Sequence, residues 1–101
     1  MSQHYQLQKQ HYIGGYSLQN NANTALNSTT NWTINIASNC SIIRIYSSNS
    51  AFSKYMGNAN NSVYDYFIPA NSFVDIYNFP VANSMSFIAE SGNCSIKVSQ
   101  Y

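Results

Sequence analysis

The tetrapeptide Asn-Cys-Ser-Ile is written twice in this chain, at residues 39–42 and 93–96, and the two copies hold its only cysteines. Paired cysteines can bridge, bind metal or act as nucleophiles. Zinc-type sites need short ligand spacings such as Cys-x-x-Cys or His-x-x-x-His. Neither occurs, and the two histidines, His4 and His11, stand seven positions apart near the start. A nucleophilic triad needs a base within hydrogen-bond reach of an activated Ser or Cys. Those same histidines are the only imidazole bases, and there is no Gly-x-Ser-x-Gly elbow or phosphate-cradling glycine loop. The acids are Asp65, Asp75 and Glu90. Glycoside hydrolysis needs two carboxyls across one cleft. Asp65 and Asp75 could face each other across adjacent strands, but each falls on the polar face of its run and reads as a solvated charge that discourages edge pairing. The sequence implies no enzyme, no metal and no cofactor.

Composition narrows the field further. The chain has 101 residues, enough for one domain around one core. Its hydrophobic fraction of 45% is ordinary, but only 7% of residues are charged, against about 25% in a typical domain. Asn and Ser have taken the place of Lys and Glu. Disorder requires low hydrophobicity with high net charge; this chain has neither and should fold. With a net charge of +1 and only Lys9, Arg44, Lys54 and Lys97 as strong cations, it lacks the basic cluster that neutralises nucleic-acid phosphates. A nearly neutral surface gives little protection against association. No apolar run approaches the ~20 residues of a membrane helix, and residues 1–12 lack the apolar stretch of a secretory signal. The expectation is a soluble protein made in a host cytoplasm, touching neither nucleic acid nor membrane.

Period-two alternation dominates the rest. Trp32, Ile34 and Ile36 share one parity; Ile43 and Ile45 oppose Arg44; Val74 and Ile76 oppose Asp75; Met85, Phe87 and Ala89 alternate with polar or smaller residues. Residues 63–68 are largely aromatic and β-branched, with Tyr64 and Tyr66 read as core, and Cys94, Ile96 and Val98 alternate with Ser95 and Lys97. This predicts half-buried strands over 32–36, 41–46, 63–68, 73–77, 85–89 and 94–98. Between them lie loop signals at 20–23, 47–50, 56–61, 69–72, 78–80 and 91–93. Asn tolerates the left-handed region and bonds locally, so it can serve many of these turns. No helical stripe emerges. The reading is all-β: a single small antiparallel β-sandwich or barrel over residues 21–101, with residues 1–20 as an extended N-terminal arm or first edge strand. A first strand falls around residues 12–18, and the arm either reaches a neighbouring subunit or frays.

The same parity argument bears on the cysteines. Cys94 shares a face with Ile96 and Val98, whereas Cys40 shares one with Ile42, Arg44 and Tyr46, opposite the inward Ile43 and Ile45. The thiols should therefore point to different sides of their strands, which argues against a disulfide. Asn-x-Ser/Thr triplets begin at Asn27, Asn31, Asn39, Asn60 and Asn93. That is close to the roughly three or four expected by chance in so Asn- and Ser-rich a chain, so they read as a by-product of composition. Nine tyrosines remain to be placed. Tyr offers large contact area at low entropic cost with a polar tip. Tyr55, Tyr77 and Tyr101, with Phe79 beside Pro80, are candidates for an exposed partner-binding surface, joined by Tyr5, Tyr12 and Tyr16 from the N-terminal region.

The run Ile68-Pro69-Ala70-Asn71-Ser72-Phe73-Val74 resembles the hydrophobic-Pro-Ala-Gly-Ser/Glu-Ser-hydrophobic corner of small β-sandwich accessory proteins from tailed-bacteriophage heads and tails. Asn71 stands where Gly is more usual. Residues 86–98 are similar to their last hairpin, a strand with a small-residue end, a Ser-Gly turn and a final alternating strand. The resemblance spans about residues 41–99. It implies a structural virion protein, a capsid decoration or cement protein that binds the major capsid protein or another virion protein in many copies, or as a homo-oligomer, through aromatic and Asn/Ser-rich loops and the arm. Two alternatives stay open beside it: a fibre or tail-tip receptor-binding module, and a carbohydrate-binding module.

Overall fold

The computed structural model describes residues 15–101 and the backbone of residues 12 and 13. Among the described residues there is no helix. Ten strands follow in order: β1 (Tyr12–Ile13), β2 (Tyr16–Ser17), β3 (Asn20–Asn27), β4 (Trp32–Asn35), β5 (Ile42–Ser47), β6 (Ala51–Tyr55), β7 (Tyr66–Ile68), β8 (Ser72–Tyr77), β9 (Ser84–Ala89) and β10 (Asn93–Gln100). β1 and β2 pair with each other as a small separate ribbon. The other eight build two four-stranded antiparallel sheets, ordered β3-β10-β5-β8 and β4-β9-β6-β7. The pairs are nested: β6 with β7, β5 with β8, β4 with β9 and β3 with β10, all around the loop at 56–65. Each successive outer pair lies in the opposite sheet. This is the jelly-roll arrangement of two Greek keys over one core.

Alternation put most of the core where the sequence placed it. Ile34, Ile43, Ile45, Ile76, Met85, Phe87, Ala89, Cys94, Ile96 and Val98 are all buried in one cluster. Trp32 packs against that cluster and meets Phe87 at 5.9 Å between ring centroids. Two strands lacked the expected signature. Residues 20–23 read as a loop because they are almost all Asn, yet β3 pairs with β10 through eight consecutive partners and buries Leu26. β6 lies in a Ser-rich stretch and is held between β9 and β7. The strand expected over 63–68 shrinks to Tyr66–Ile68, and Val63 and Tyr64 are exposed. Nor do the last two strands form a hairpin. β9 and β10 lie in different sheets, and the connection crosses from one sheet to the other at the end of the sandwich through Gly92, whose φ of 62° suits a residue without Cβ.

Asn replaces Gly at other corners. Asn71 joins β7 to β8 with φ 57° and Asn78 follows β8 with φ 51°, a conformation Asn adopts more readily than most residues. Elsewhere Asn side chains cap turns. Asn27 Oδ1 accepts from the backbone N–H groups of Thr29 and Thr30, and Asn60 Oδ1 from those of Ser62 and Val63. Asn31 clamps the 56–65 loop by donating to the Ala59 carbonyl at 3.0 Å and accepting from the Ala59 N–H at 2.9 Å. The loop thereby covers a second small cluster, Phe52, Ala59 and Ile88, on the outer face of the β4-β9-β6-β7 sheet. Tyr64 and Phe67 join it at 4.8 and 5.8 Å from the Phe52 ring.

One side chain ties the two sheets together. Gln100, at the end of β10, donates to the Asn35 carbonyl at 2.9 Å and accepts from the Ala37 N–H at 2.8 Å. A buried amide that satisfies two backbone groups is costly to lose, because both are left without partners. Gln100→Ala should lower stability by about 2–3 kcal/mol, read as a shift in the urea midpoint at constant slope. Ser53 presents the opposite case, since its hydroxyl is buried with no partner among the described residues. Ser53→Ala should therefore raise stability by roughly 1 kcal/mol in the same assay.

Candidate surface for partner binding

The outer face of the β3-β10-β5-β8 sheet carries a stripe of large side chains along its β8 edge. Parity sends Val74 and Ile76 toward the core and leaves Phe73, Asp75 and Tyr77 outside. Across the pair with β5 these three oppose Tyr46, Arg44 and Ile42. Phe73 is 64% exposed and lies 5.3 Å from the Tyr46 ring. The Arg44 guanidinium sits 5.1 Å from the centroid of the same Phe73 ring. Arg44 also grips Asp75 with two bonds, Nε to Oδ1 at 2.7 Å and Nη2 to Oδ2 at 2.8 Å. The planar fork is thus fixed from both sides, by carboxylate and by aromatic face. Tyr46 is oriented in turn by donating its hydroxyl to Asn71 Oδ1 at 3.2 Å.

Past Tyr77 the stripe runs into a groove of about 470 Å³ lined by Tyr16, Cys40, Ile42, Tyr77 and Phe79 among others. An adjoining cleft of about 500 Å³ shares Cys40 and Phe79 and continues to Ile36, Met56 and Val81. Three of the aromatic residues singled out from sequence, Tyr16, Tyr77 and Phe79, therefore converge on one groove. Tyr55 lies elsewhere. It packs against the main core, and its hydroxyl meets that of Tyr66 at 3.0 Å. Burial and that contact push its phenol well above the usual range. Tyr101 departs from the expected exposure, with 6% of its surface open. Its backbone is drawn in beside β5, exchanging bonds with Ile42. Tyr5, the Tyr12 side chain, His4 and His11 lie outside the described residues. Phe73, Tyr46 and Arg44 were missed in the sequence, although Phe73 shares the outward parity of Asp75.

The two aspartates and the two cysteines each have structural partners. Asp65 and Asp75 do not face each other, because Asp65 precedes β7 in one sheet and Asp75 sits on β8 in the other. Neither is a merely solvated charge: Asp65 accepts from the Tyr55 N–H at 2.8 Å, and Asp75 holds Arg44. Both cysteines are free. Cys94 is inward, as parity required, and accepts from the Ser47 hydroxyl at 3.4 Å. Cys40 is not on a strand at all, since β5 begins at Ile42; it lies in the preceding turn, half-buried, with its thiol donating to the Ile42 carbonyl. Burial raises its pKa. Among the described residues no three His, Cys, Asp or Glu side chains cluster as metal ligands would. The chemistry this surface offers is contact: aromatic area, one preorganised cation, and few charges to desolvate.

Comparison with protein-family models, with curated proteins and with solved structures yields no match.

The Arg44 bonds hold the Asp75 carboxyl below the usual carboxylate range. A depressed folded pKa means that the ionised form contributes stability above the unfolded value of about 3.9, and that this contribution fades as pH falls through the lower folded value. Both partners are partly open to water, so the pair contributes only about 1 kcal/mol. Asp75→Asn should cost about that much at pH 7, and the gap to wild type should close in urea titrations taken below the folded pKa. A gap independent of pH would assign the loss to packing instead.

Proposed function

We propose that this chain is a structural virion protein, a capsid decoration or cement protein, that docks on the major capsid protein or another virion protein in many copies. The observation that supports this most directly is the Tyr46–Phe73–Arg44–Tyr77 stripe and the groove with Tyr16 and Phe79 into which it leads. Interface energies concentrate in aromatic and arginine anchors surrounded by near-neutral contacts. Arg44 already has its counter-charge in Asp75, so a partner need not supply one. Interface cores are poor in charged residues, and this chain has few anywhere. Viral capsid domains are among the proteins built as jelly rolls, alongside lectins and cupins; that likeness of architecture is an analogy and carries no site. On a symmetric shell, weak individual contacts multiply through the number of copies.

A second reading, a carbohydrate- or receptor-binding module of a fibre or tail tip, draws on the exposed Phe73 ring flanked by Asn71 and Asp75. An apolar platform with polar neighbours also suits a sugar. The two readings separate in one set of measurements. In gradient centrifugation of the native lysate, the tagged protein should sediment with large particles, and Phe73→Ala with Tyr77→Ala should reduce that fraction at least about tenfold, given about 1–2 kcal/mol or more per lost aromatic anchor. Both rings are exposed, so the melting temperature should change little. A free 11.3 kDa species that binds a glycan array would overturn the decoration reading.

A further inference from the structure

The two sheets have four edges. β4 and β7 are short, at four and three residues, which is one way proteins blunt an edge. β8 carries Asp75 near its centre, with Phe73 and Tyr77 on either side. β3 has none of these protections. Its eight residues, Asn-Asn-Ala-Asn-Thr-Ala-Leu-Asn, contain no charge, no proline and no glycine. It runs against β10 without a bulge, from Asn27 opposite Asn93 to Asn20 opposite Gln100. Among the described residues its other side pairs with no strand. A long, flat, uncharged edge offers a row of backbone donors and acceptors to another strand.

We infer that this edge pairs with itself: two copies of the chain join their β3 strands antiparallel about a two-fold axis at Thr24, making one continuous eight-stranded sheet. The inference is independent of the decoration reading. Several features favour a second copy over an unlike partner. A two-fold preserves the faces of the sheet only if it passes through a residue position, so the well-overlapped choices are Asn23 and Thr24. The axis at Thr24 sets Thr24 against its own copy, a favourable cross-strand pair. It also sets Ala22 against Leu26 on the inner face, and Asn21 against Asn27 and Asn23 against Ala25 on the outer one. The axis at Asn23 would instead place Asn20 against Leu26. Amide side chains both donate and accept, so an Asn-rich edge is complementary to itself. Electrostatics do not oppose the contact. Lys97, the nearest cation in register, lies one strand in, opposite Asn23. Its counterpart in the second copy would be three strand spacings away, about 14 Å or more, beyond the screening length of about 8 Å at physiological salt.

A single strand pair buries less than the ~1,200 Å² of a standard interface, so the dimer should be concentration-dependent. Sedimentation equilibrium over a concentration series should show the weight-average mass rising from 11.3 kDa toward twice that value. Two double variants of exposed residues test the register. Both carry Asn23→Glu, whose new carboxylate faces Lys97 within its own chain. Combined with Ala25→Glu, it brings a carboxylate at position 23 opposite a carboxylate at position 25 of the other copy. Directly opposed like charges are destabilising, and because the clash occurs twice in the dimer, association should weaken at least about tenfold. Combined with Ala25→Lys, the same position faces an ammonium at position 25 of the other copy, and association should equal or exceed that of the wild type. Circular dichroism and thermal melts check the fold of each. A wild type that stays monomeric through the millimolar range overturns the inference. So does a dimer that neither variant alters, since its contact would then lie on β8 or the aromatic groove.

Discussion

The pairing of β10 is the constraint on which the rest of the molecule depends. These eight residues near the end of the chain lie between β3 and β5, and so complete one sheet from strands that begin at residues 20 and 42. On their inner face Cys94, Ile96 and Val98 fill the core, and at their end Gln100 reaches across to the other sheet. Without β10, β3 has no neighbouring strand among the described residues, and β5 and β8 are left as an isolated pair. The nested order makes this unavoidable: the innermost pair, β6 with β7, is local, and each further pair closes a longer loop. Loop closure costs entropy before the contacts repay it.

A chain so poor in charge has to obtain specificity from neutral polar groups, and this one uses Asn for the purpose. Asn71 and Asn78 take left-handed turns, Asn27 and Asn60 cap short loops, and Asn31 clamps the loop that shields Phe52 and Ile88. Charge appears where geometry is fixed. Arg44 and Asp75 form the one ion pair among the described residues, bidentate and backed by Phe73. A fixed cation among rigid aromatics loses little entropy when something docks on it.

The two outer faces of the sandwich differ accordingly. One is partly covered by the chain's own 56–65 loop, which turns Phe52, Ala59 and Ile88 into a second small core. The other keeps Phe73 and Tyr77 open beside a groove, while its far edge ends in the uncharged β3.

The sequence alone determined the strand character and the inner faces, because a period of two ties burial to parity wherever apolar residues alternate. It placed Ile43, Ile45, Phe87, Ile96 and Cys94 inside, and picked Tyr16, Tyr77 and Phe79 as surface aromatics, of which Phe79 is instead half-buried against the core. β3 was not legible, since Asn signals a turn locally and becomes a strand only when β10 lies alongside. Nor was the burial of Tyr101, whose parity says nothing about the main-chain bonds with Ile42 that draw it in. Which strands lie in which sheet was likewise beyond local pattern, as the β9–β10 connection demonstrates. Tertiary structure decided that Asp65 and Asp75 part company, that Cys40 stays in a turn, and that Arg44, Phe73 and Tyr46 form one cluster. Parity fixes the face on which a side chain lies, whereas its neighbours across the sheet depend on register between strands far apart in the chain.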